Sequence, residues 1–406
     1  MPTRHPACVL LAAATCLAVS ALPAVAGEQA SPSVLAVTGP RPEPVLPLPA
    51  AELEQSLRRG VDFLLARQNA NGSWGSVNIT RPGEVLAPVP GAHHAFRAAV
   101  TSLCISALIE TGGDGPEVAA ALERAETWLL DELPRVRRAD PAVFYNTWAH
   151  AYAIAALARM LDRTPDDEAR ARRIRQGIAQ QIDMLERYEV VDGGWAYYDF
   201  DARTRTPSGS TIGFVTATVL VALDEARRAG VAVPQRPIER AKASILRQRN
   251  PDFSYLYGEY LKARPMREIN RPSGSLGRSQ ACNAAMRLWG DPLVTDAVLA
   301  AWLDRLFARN GWLDIGRKRP IPHESWCQVA GYFFYYGHYY AALCIELLPE
   351  DQRERHQDQL ARLLVPLQER DGSWWDFPLY DYHQQYGTAF ALMSLHRCRR
   401  GSVQSP

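Results

Sequence analysis

Asp199 and Asp201 follow the turn Gly193-Gly194-Trp195, and in this 406-residue chain they are the acidic pair best placed for general acid or base work. A carboxyl group serves that role where a loop holds it against a ligand and its surroundings tune its proton affinity. His94, His150, His338 and His383 fall on or at apolar segments, and His150 is the third catalytic candidate. Cations gather in the connecting segments: Arg203 and Arg205, then Lys262, Arg264, Arg267, Arg271 and Arg278, then Arg317, Lys318 and Arg319. Guanidinium forks above helix N-termini suit an anion such as a diphosphate, a uronate or a sulfate. Asp314 and Asp376 would offset part of that charge. Aromatic rings are dense nearby, with Trp148, Tyr198 and Tyr336 among them. Such rings stabilise cations through their faces or stack on sugars. Arg203, Arg205, Arg271, Arg278, Arg317, Arg319, Trp148, Tyr198 and Tyr336 are therefore the binding candidates.

These residues need elements to position them, and the chain supplies a repeat of about 60 residues. Each unit reads as an amphipathic helix, an aromatic-Gly turn, a loop, and a second helix that is apolar and rich in small residues. The first helices are expected at 50–68, 116–133, 166–187, 235–248, 292–309 and 350–369. Their partners are expected at 92–110, 142–162, 211–229, 275–289, 323–347 and 382–398. Leu53, Leu57, Val61, Leu64 and Leu65 show the helical spacing in the first unit. The turn is expected at Gln68 to Trp74, Gly193-Gly194-Trp195, Gly311-Trp312 and Gln368 to Trp374, with the units beginning near 116 and 235 degenerate.

A helix apolar on every face must be buried on every face. Segments such as Thr216 to Leu223 therefore form an inner ring, and helices with a charged stripe, such as Arg170, Arg172, Arg173 and Arg175, form an outer one. Closure leaves no orphan face, whereas an open solenoid would expose one at each end. The expected fold is all-α, a single (α/α)6 toroid over residues 50–400. Connections from inner to outer helix are short and the return connections long, which puts the long loops, where function concentrates, at one mouth.

The segments Arg59 to Trp74 and Gln368 to Trp374 resemble the QW motif of squalene and oxidosqualene cyclases, within the terpene cyclase and protein prenyltransferase superfamily. The resemblance implies the toroid fold. It also marks departures, for the Asp-x-Asp-Asp element of the triterpene cyclases is reduced to Asp199-Phe200-Asp201, so polycyclisation is not expected. Single-toroid prenyltransferase β subunits hold zinc with an Asp, a Cys two residues later and a distant His. Tyr382-His383 resembles the zinc-His segment and Cys327 stands near the Cys, but Ser325 replaces the Asp. His323, four residues before Cys327, would share its helical face and complete a His323, Cys327 and His383 set with an open position.

The N-terminus reads as an export signal. Ala7 to Ala26 carries no charge and ends in Ala24-Val25-Ala26, so residues 1–26 form a cleavable signal peptide and 27–49 a flexible lead-in. The mature protein is then secreted or periplasmic, with no later run expected to span a bilayer. A net charge of +1 gives no case for nucleic acid. Three functions stay open: an enzyme acting on an isoprenoid, a lipid or another anionic small molecule; a secreted polysaccharide hydrolase or lyase; and a non-catalytic binding or scaffold toroid.

Overall fold

The computed structural model describes residues 31–81, 91–163, 166–199, 204–209, 211–323 and 327–400, so the signal segment, Asp201 and Arg203 lie outside the described residues. Six amphipathic helices form the outer ring. They are α1 (Ala50–Ala66), α3 (Pro116–Glu132), α5 (Glu168–Arg187), α7 (Gln235–Gln248), α9 (Asp296–Ala308) and α11 (Glu350–Leu364). Their starts follow ordinary capping chemistry: the Asp167 side chain accepts from Arg170 N, the Thr295 hydroxyl from Val298 N, and α3 begins on a proline. Between them lie the inner helices α2 (Ala92–Thr111), α4 (Asn146–Asp162), α6 (Gly213–Arg228), α8 (Pro272–Leu288), α10 (Phe333–Glu346) and α12 (His383–His396), buried on nearly every face.

The inner helices close on themselves. α2 packs on α4, α4 on α6, α6 on α8, α8 on α10, α10 on α12, and α12 returns to α2. Small residues permit the approach: a Cβ on Gly337 of α10 would sit 2.5 Å from Gly277 Cα of α8. The fold is the expected (α/α)6 toroid, and the open solenoid is excluded. α2 is long and apolar enough to cross a bilayer, contrary to the sequence reading, yet 78% of that stretch is buried in the ring. A helix surrounded by protein takes on the composition of one surrounded by lipid.

One turn recurs at the top of the outer helices. Trp74 Nε1 donates to Leu64 O, Trp195 Nε1 to Leu185 O and Trp374 Nε1 to Leu364 O, each near 2.8 Å. Each indole thus satisfies a carbonyl at the end of its own helix. Its backbone N–H donates to a threonine of the following inner helix, Thr101, Thr216 or Thr388. Gly72, Gly193 and Gly372 take φ near +90°, with the next outer helix pressed against them, so only glycine fits. The unit beginning near 235 is less degenerate than its sequence. Asn250 N donates to Ser254 O at 2.8 Å, as Asn69 does to Ser73, and Phe253 holds the glycine position at φ 62° with Tyr255 in place of the tryptophan. Gly311-Trp312 makes no such turn, because Asn310–Asp314 is helical and Trp312 is partly exposed.

Two further expectations are corrected. The inner helix expected from 323 starts at Phe333; His323 (φ 61°) and Gln328 (φ 50°) are left-handed, which no helix accommodates. The described part of the lead-in is held down rather than flexible. Arg305 donates to the carbonyls of Leu35 and Thr38, Gln359 to Glu43 O, and Arg362 to Leu46 O and Pro47 O, strapping it across α9 and α11.

At the other end of the barrel, charges seal the base. Glu110 takes Arg159 and Arg397, each at 2.7 Å; Arg159 also reaches Glu225, and Arg397 reaches Glu346 at 2.7 Å. Five residues from the C-terminal ends of five inner helices form one chain of alternating sign. Burial alone would raise the Glu110 carboxyl, but the two guanidiniums hold it down to about 2. Its contribution is therefore complete above the unfolded value of 4.5 and is lost as pH falls toward 2. We predict that Arg397→Ala, which leaves half of the pairing of Glu110 missing, lowers unfolding free energy by about 3–5 kcal/mol at pH 7. Urea titration checks this; a loss under about 1 kcal/mol would show the ring to be ornamental.

Candidate active site

The long connections and the upper halves of the inner helices enclose a cavity of about 670 Å³. Its deep wall is apolar, built from Ala99, Val100 and Leu103 of α2, Trp148 and Tyr152 of α4, and Phe390 of α12. Phe214, Phe333 and Tyr336 complete that wall, with Phe214 and Phe333 edge to face at a centroid distance of 4.9 Å. Tyr336 spends its hydroxyl on Phe214 O at 2.9 Å, and Tyr145, Tyr197, Tyr198, Tyr257, Tyr260, Tyr332 and Tyr386 carry the further hydroxyls on the loops and helix starts. Among the described lining residues, Arg267 is the single fixed charge and no Asp or Glu appears.

The tyrosines are hydrogen-bonded to one another. Tyr197 and Tyr257 share a short contact, Tyr257 and Tyr332 meet at 3.4 Å, and the Tyr332 hydroxyl lies 3.1 Å from His323 Nε2. His323 Nδ1 is 2.7 Å from Gln328 O. A carbonyl only accepts, so Nδ1 carries the hydrogen and Nε2 accepts from Tyr332. Burial lowers the His323 pKa and raises Tyr257 to about 12, so the imidazole and the phenols are neutral at pH 7. Neutral donors and acceptors along an apolar wall orient a ligand without demanding a counter-charge.

Behind the wall lies a carboxyl group of unusual affinity for its proton. Asp376 is fully buried; its Oδ1 accepts from the Tyr386 hydroxyl at 2.7 Å and its Oδ2 from Tyr335 N at 2.9 Å. Burial raises its pKa to about 7 against those two hydrogen bonds and the pull of Arg317. Sequence reading placed Asp376 among the residues that dilute a charged rim. Its signal was weak, an acid two residues after a turn tryptophan.

Of the catalytic candidates, Asp199 and His150 are described, and neither lines the cavity. Asp199 is buried and accepts from Ser208 N at 3.1 Å and Ser208 Oγ at 2.9 Å, serving the loop's own geometry. His150 is buried between α4 and α5, with Nδ1 2.7 Å from Gln181 Oε1 and Nε2 3.3 Å from Asn146 Nδ2, and burial takes its pKa to about 4. It is a core histidine. Trp148, Tyr198 and Tyr336 do share the cavity wall.

The cationic mouth is largely spent on the fold. Arg278 is wholly buried and donates to Tyr255 O, Gly274 O and Ile269 O. Arg317 pairs with Asp314 at 2.5 Å, Arg319 donates to Ile315 O, and Arg271 to Met266 O. Arg205 is exposed and is not part of the lining. Among the described lining residues, an anion would find Arg267 as the one cation.

The metal set is corrected as well. His323 and Cys327 precede α10 and share no helical face, and both His323 nitrogens are occupied. His383 lies apart, its Nδ1 2.7 Å from Tyr380 O and its ring edge-on to Trp375. Among the described residues no group of three His, Cys, Asp or Glu side chains could hold a metal ion.

Solved structures share the architecture. An inactive variant of an α-1,6-mannanase of Salegentibacter, in complex with α-1,6-mannotetrose, aligns over 85% of this chain and 98% of its own, with 13% identity and a TM-score of 0.51. A type II terpene cyclase from Scytonema aligns over 86% and 98% with 14% identity and a TM-score of 0.48, and a protein from Actinoplanes over 85% and 99% with 18% identity and a TM-score of 0.49. Such identities speak to fold alone. No family profile and no curated protein matches the sequence.

Asp376 generates a prediction about stability. Its folded pKa of about 7 lies above the ordinary aspartate value of 3.8, so the native state favours the protonated acid. That contribution is complete below 3.8, and it is lost as pH rises through 7. His150, His338 and His383, each lowered to about 4 by burial, act in the opposite sense as pH falls below 6.5. The difference between wild type and Asp376→Asn isolates the acid: the variant should gain on wild type by up to about 4 kcal/mol from pH 4 to 8. Parallel denaturation curves at every pH would contradict this.

Proposed function

We propose that this toroid binds an apolar small molecule, an isoprenoid or a related lipid chain, in its central cavity. The lining carries the reading: a continuous aromatic and aliphatic wall with hydroxyls at one end and a single charge at the rim. Sites of this size that hold small ligands are mostly apolar, with a few placed polar groups. An anion is not required by this reading, since Arg271, Arg278, Arg317 and Arg319 are bound to backbone carbonyls or to an acid. Polysaccharide cleavage is supported less well, because it needs two carboxyl groups facing the ligand, and the described wall has none. A scaffold that had lost its ligand would have no reason to keep such a volume open, because filling it with larger side chains stabilises a core.

The test is direct binding. Geranylgeraniol should quench the fluorescence of Trp148 saturably in purified protein, while α-1,6-mannotetraose should give no change in fluorescence or heat. Ala99→Phe, which fills the deep wall, should weaken geranylgeraniol binding at least tenfold with the helical circular dichroism kept. Binding of the sugar alone, or unchanged affinity in the filled variant, would overturn the reading.

The proposal includes export, supported by the uncharged stretch ending in Ala24-Val25-Ala26. Edman sequencing of protein recovered from a bacterial host's periplasm should begin at Gly27; an intact Met1 on the membrane-bound protein would contradict it.

A further inference from the structure

Asp376 and Tyr386 sit where a buried acid meets the cavity, and the sequence offered nothing for Asp376 beyond an offset to rim charge. Tyr386 lines the cavity, while Asp376 lies behind it with no exposure. The carboxyl group accepts from Tyr386 O–H at Oδ1, 2.7 Å, and from Tyr335 N–H at Oδ2, 2.9 Å. The second donor is a backbone amide and is fixed. The first is a rotor on a residue of the cavity wall, and it also lies 3.4 Å from Phe377 O.

We infer that Asp376 and Tyr386 form a proton-gated hydrogen-bond donor that recognises an acceptor-only oxygen, an ether or a carbonyl, on an otherwise apolar ligand. The inference rests on the apolar-ligand reading above. With Asp376 ionised, Oδ1 holds the Tyr386 hydrogen and the phenol presents only lone pairs to the cavity. With Asp376 protonated, the acid donates from Oδ1 to the phenol oxygen, and the Tyr386 hydrogen is left between the long contact to Phe377 O at 3.4 Å and an acceptor on the ligand, which offers the shorter bond. One proton taken from solvent thus converts a wall position from acceptor to donor, with no covalent change.

The groups facing the carboxyl leave the two states close in energy. Arg317 attracts the ionised form, but its charge is shared with Asp314 at 2.5 Å. The Lys318 backbone amide donates to the Asp376 carbonyl, while its ammonium is turned to Glu369. From α10 come the Tyr335 amide and a Tyr335 hydroxyl without a partner, and from α12 comes Tyr386 itself. Burial then tips the balance toward the neutral acid near pH 7. A donor set in an apolar stretch of wall discriminates strongly, because a ligand that offers it nothing leaves its O–H poorly paired.

The experiment uses two probes, farnesyl methyl ether, whose oxygen can only accept, and farnesene, which has none. Their dissociation constants are measured by tryptophan quenching from pH 5 to 9. The ether should weaken about tenfold as pH rises through 7 while farnesene stays flat. Tyr386→Phe should abolish both the pH response and the preference for the ether. Asp376→Asn, whose amide donates to the phenol at every pH, should bind the ether tightly and without pH dependence. Farnesene binding with no preference for the ether, or a pH response that survives Tyr386→Phe, overturns the gate and leaves the apolar reading standing. Failure of both probes to bind overturns the two together.

Discussion

The toroid depends on how the end of one outer helix grips the next. Gln68 Nε2 donates to its own turn at Gly72 O and across to Ala121 O of α3, while Arg124 of α3 returns to Gln68. Arg240 of α7 holds Glu189 and Val191 O, and Arg305 of α9 holds Asp252 O. The series then closes: Gln368 Nε2 donates to Ser56 O at 3.0 Å, and Arg59 of α1 donates to Glu369 O at 2.7 Å. The last turn therefore treats the first helix as its successor. A linear array would leave Gln368 and Arg59 without those partners, so the turn chemistry selects a ring.

Given the ring, the cavity follows from size and polarity. Six inner helices around a common axis cannot fill the centre with small residues, so aromatic side chains project into the upper part. The lower part is stopped by the Glu225, Arg159, Glu110, Arg397 and Glu346 chain, where the charges satisfy one another and the two arginines also donate to Ala155 O and Met393 O near their helix C-termini. Ligand access is left to the loop end, where hydroxyls replace the bare rings.

Period and composition made the twelve helices, their inner and outer assignment and the closure legible in advance. Backbone states that depend on distant partners were not. Phe253 holds a left-handed conformation because Arg249 stacks on its ring at 4.4 Å and the Ser254 turn fixes its neighbours, and neither fact is visible in its residue type. The segment before α10 carries helix-compatible residues, but Gly331 lies against Asp376 O and Gly316 O, where a Cβ would come within 2.4 and 2.9 Å. The arginines failed for a related reason. An arginine near a helix N-terminus looks the same in sequence whether it awaits a phosphate or, like Arg278, satisfies three carbonyls. Histidines obey the same rule: His150 and His338 occupy inner helices, yet their ring nitrogens are bound to groups of the core.

A wall of neutral groups has a consequence for what the site can discriminate. In an apolar enclosure the energetic weight of each polar contact grows, because no solvent competes for it. Arg267, exposed at the rim, remains screened by water and adds little selectivity. The tyrosines along the Tyr197, Tyr257, Tyr332 and His323 line already spend their hydrogens on one another, so they offer a ligand lone pairs and ring edges rather than free donors. Tyr386 differs because its partner is a carboxyl group that titrates near neutrality. In the apolar part of the wall, the protonation of one buried acid sets whether a ligand with an ether or carbonyl oxygen is distinguished from a hydrocarbon of the same shape.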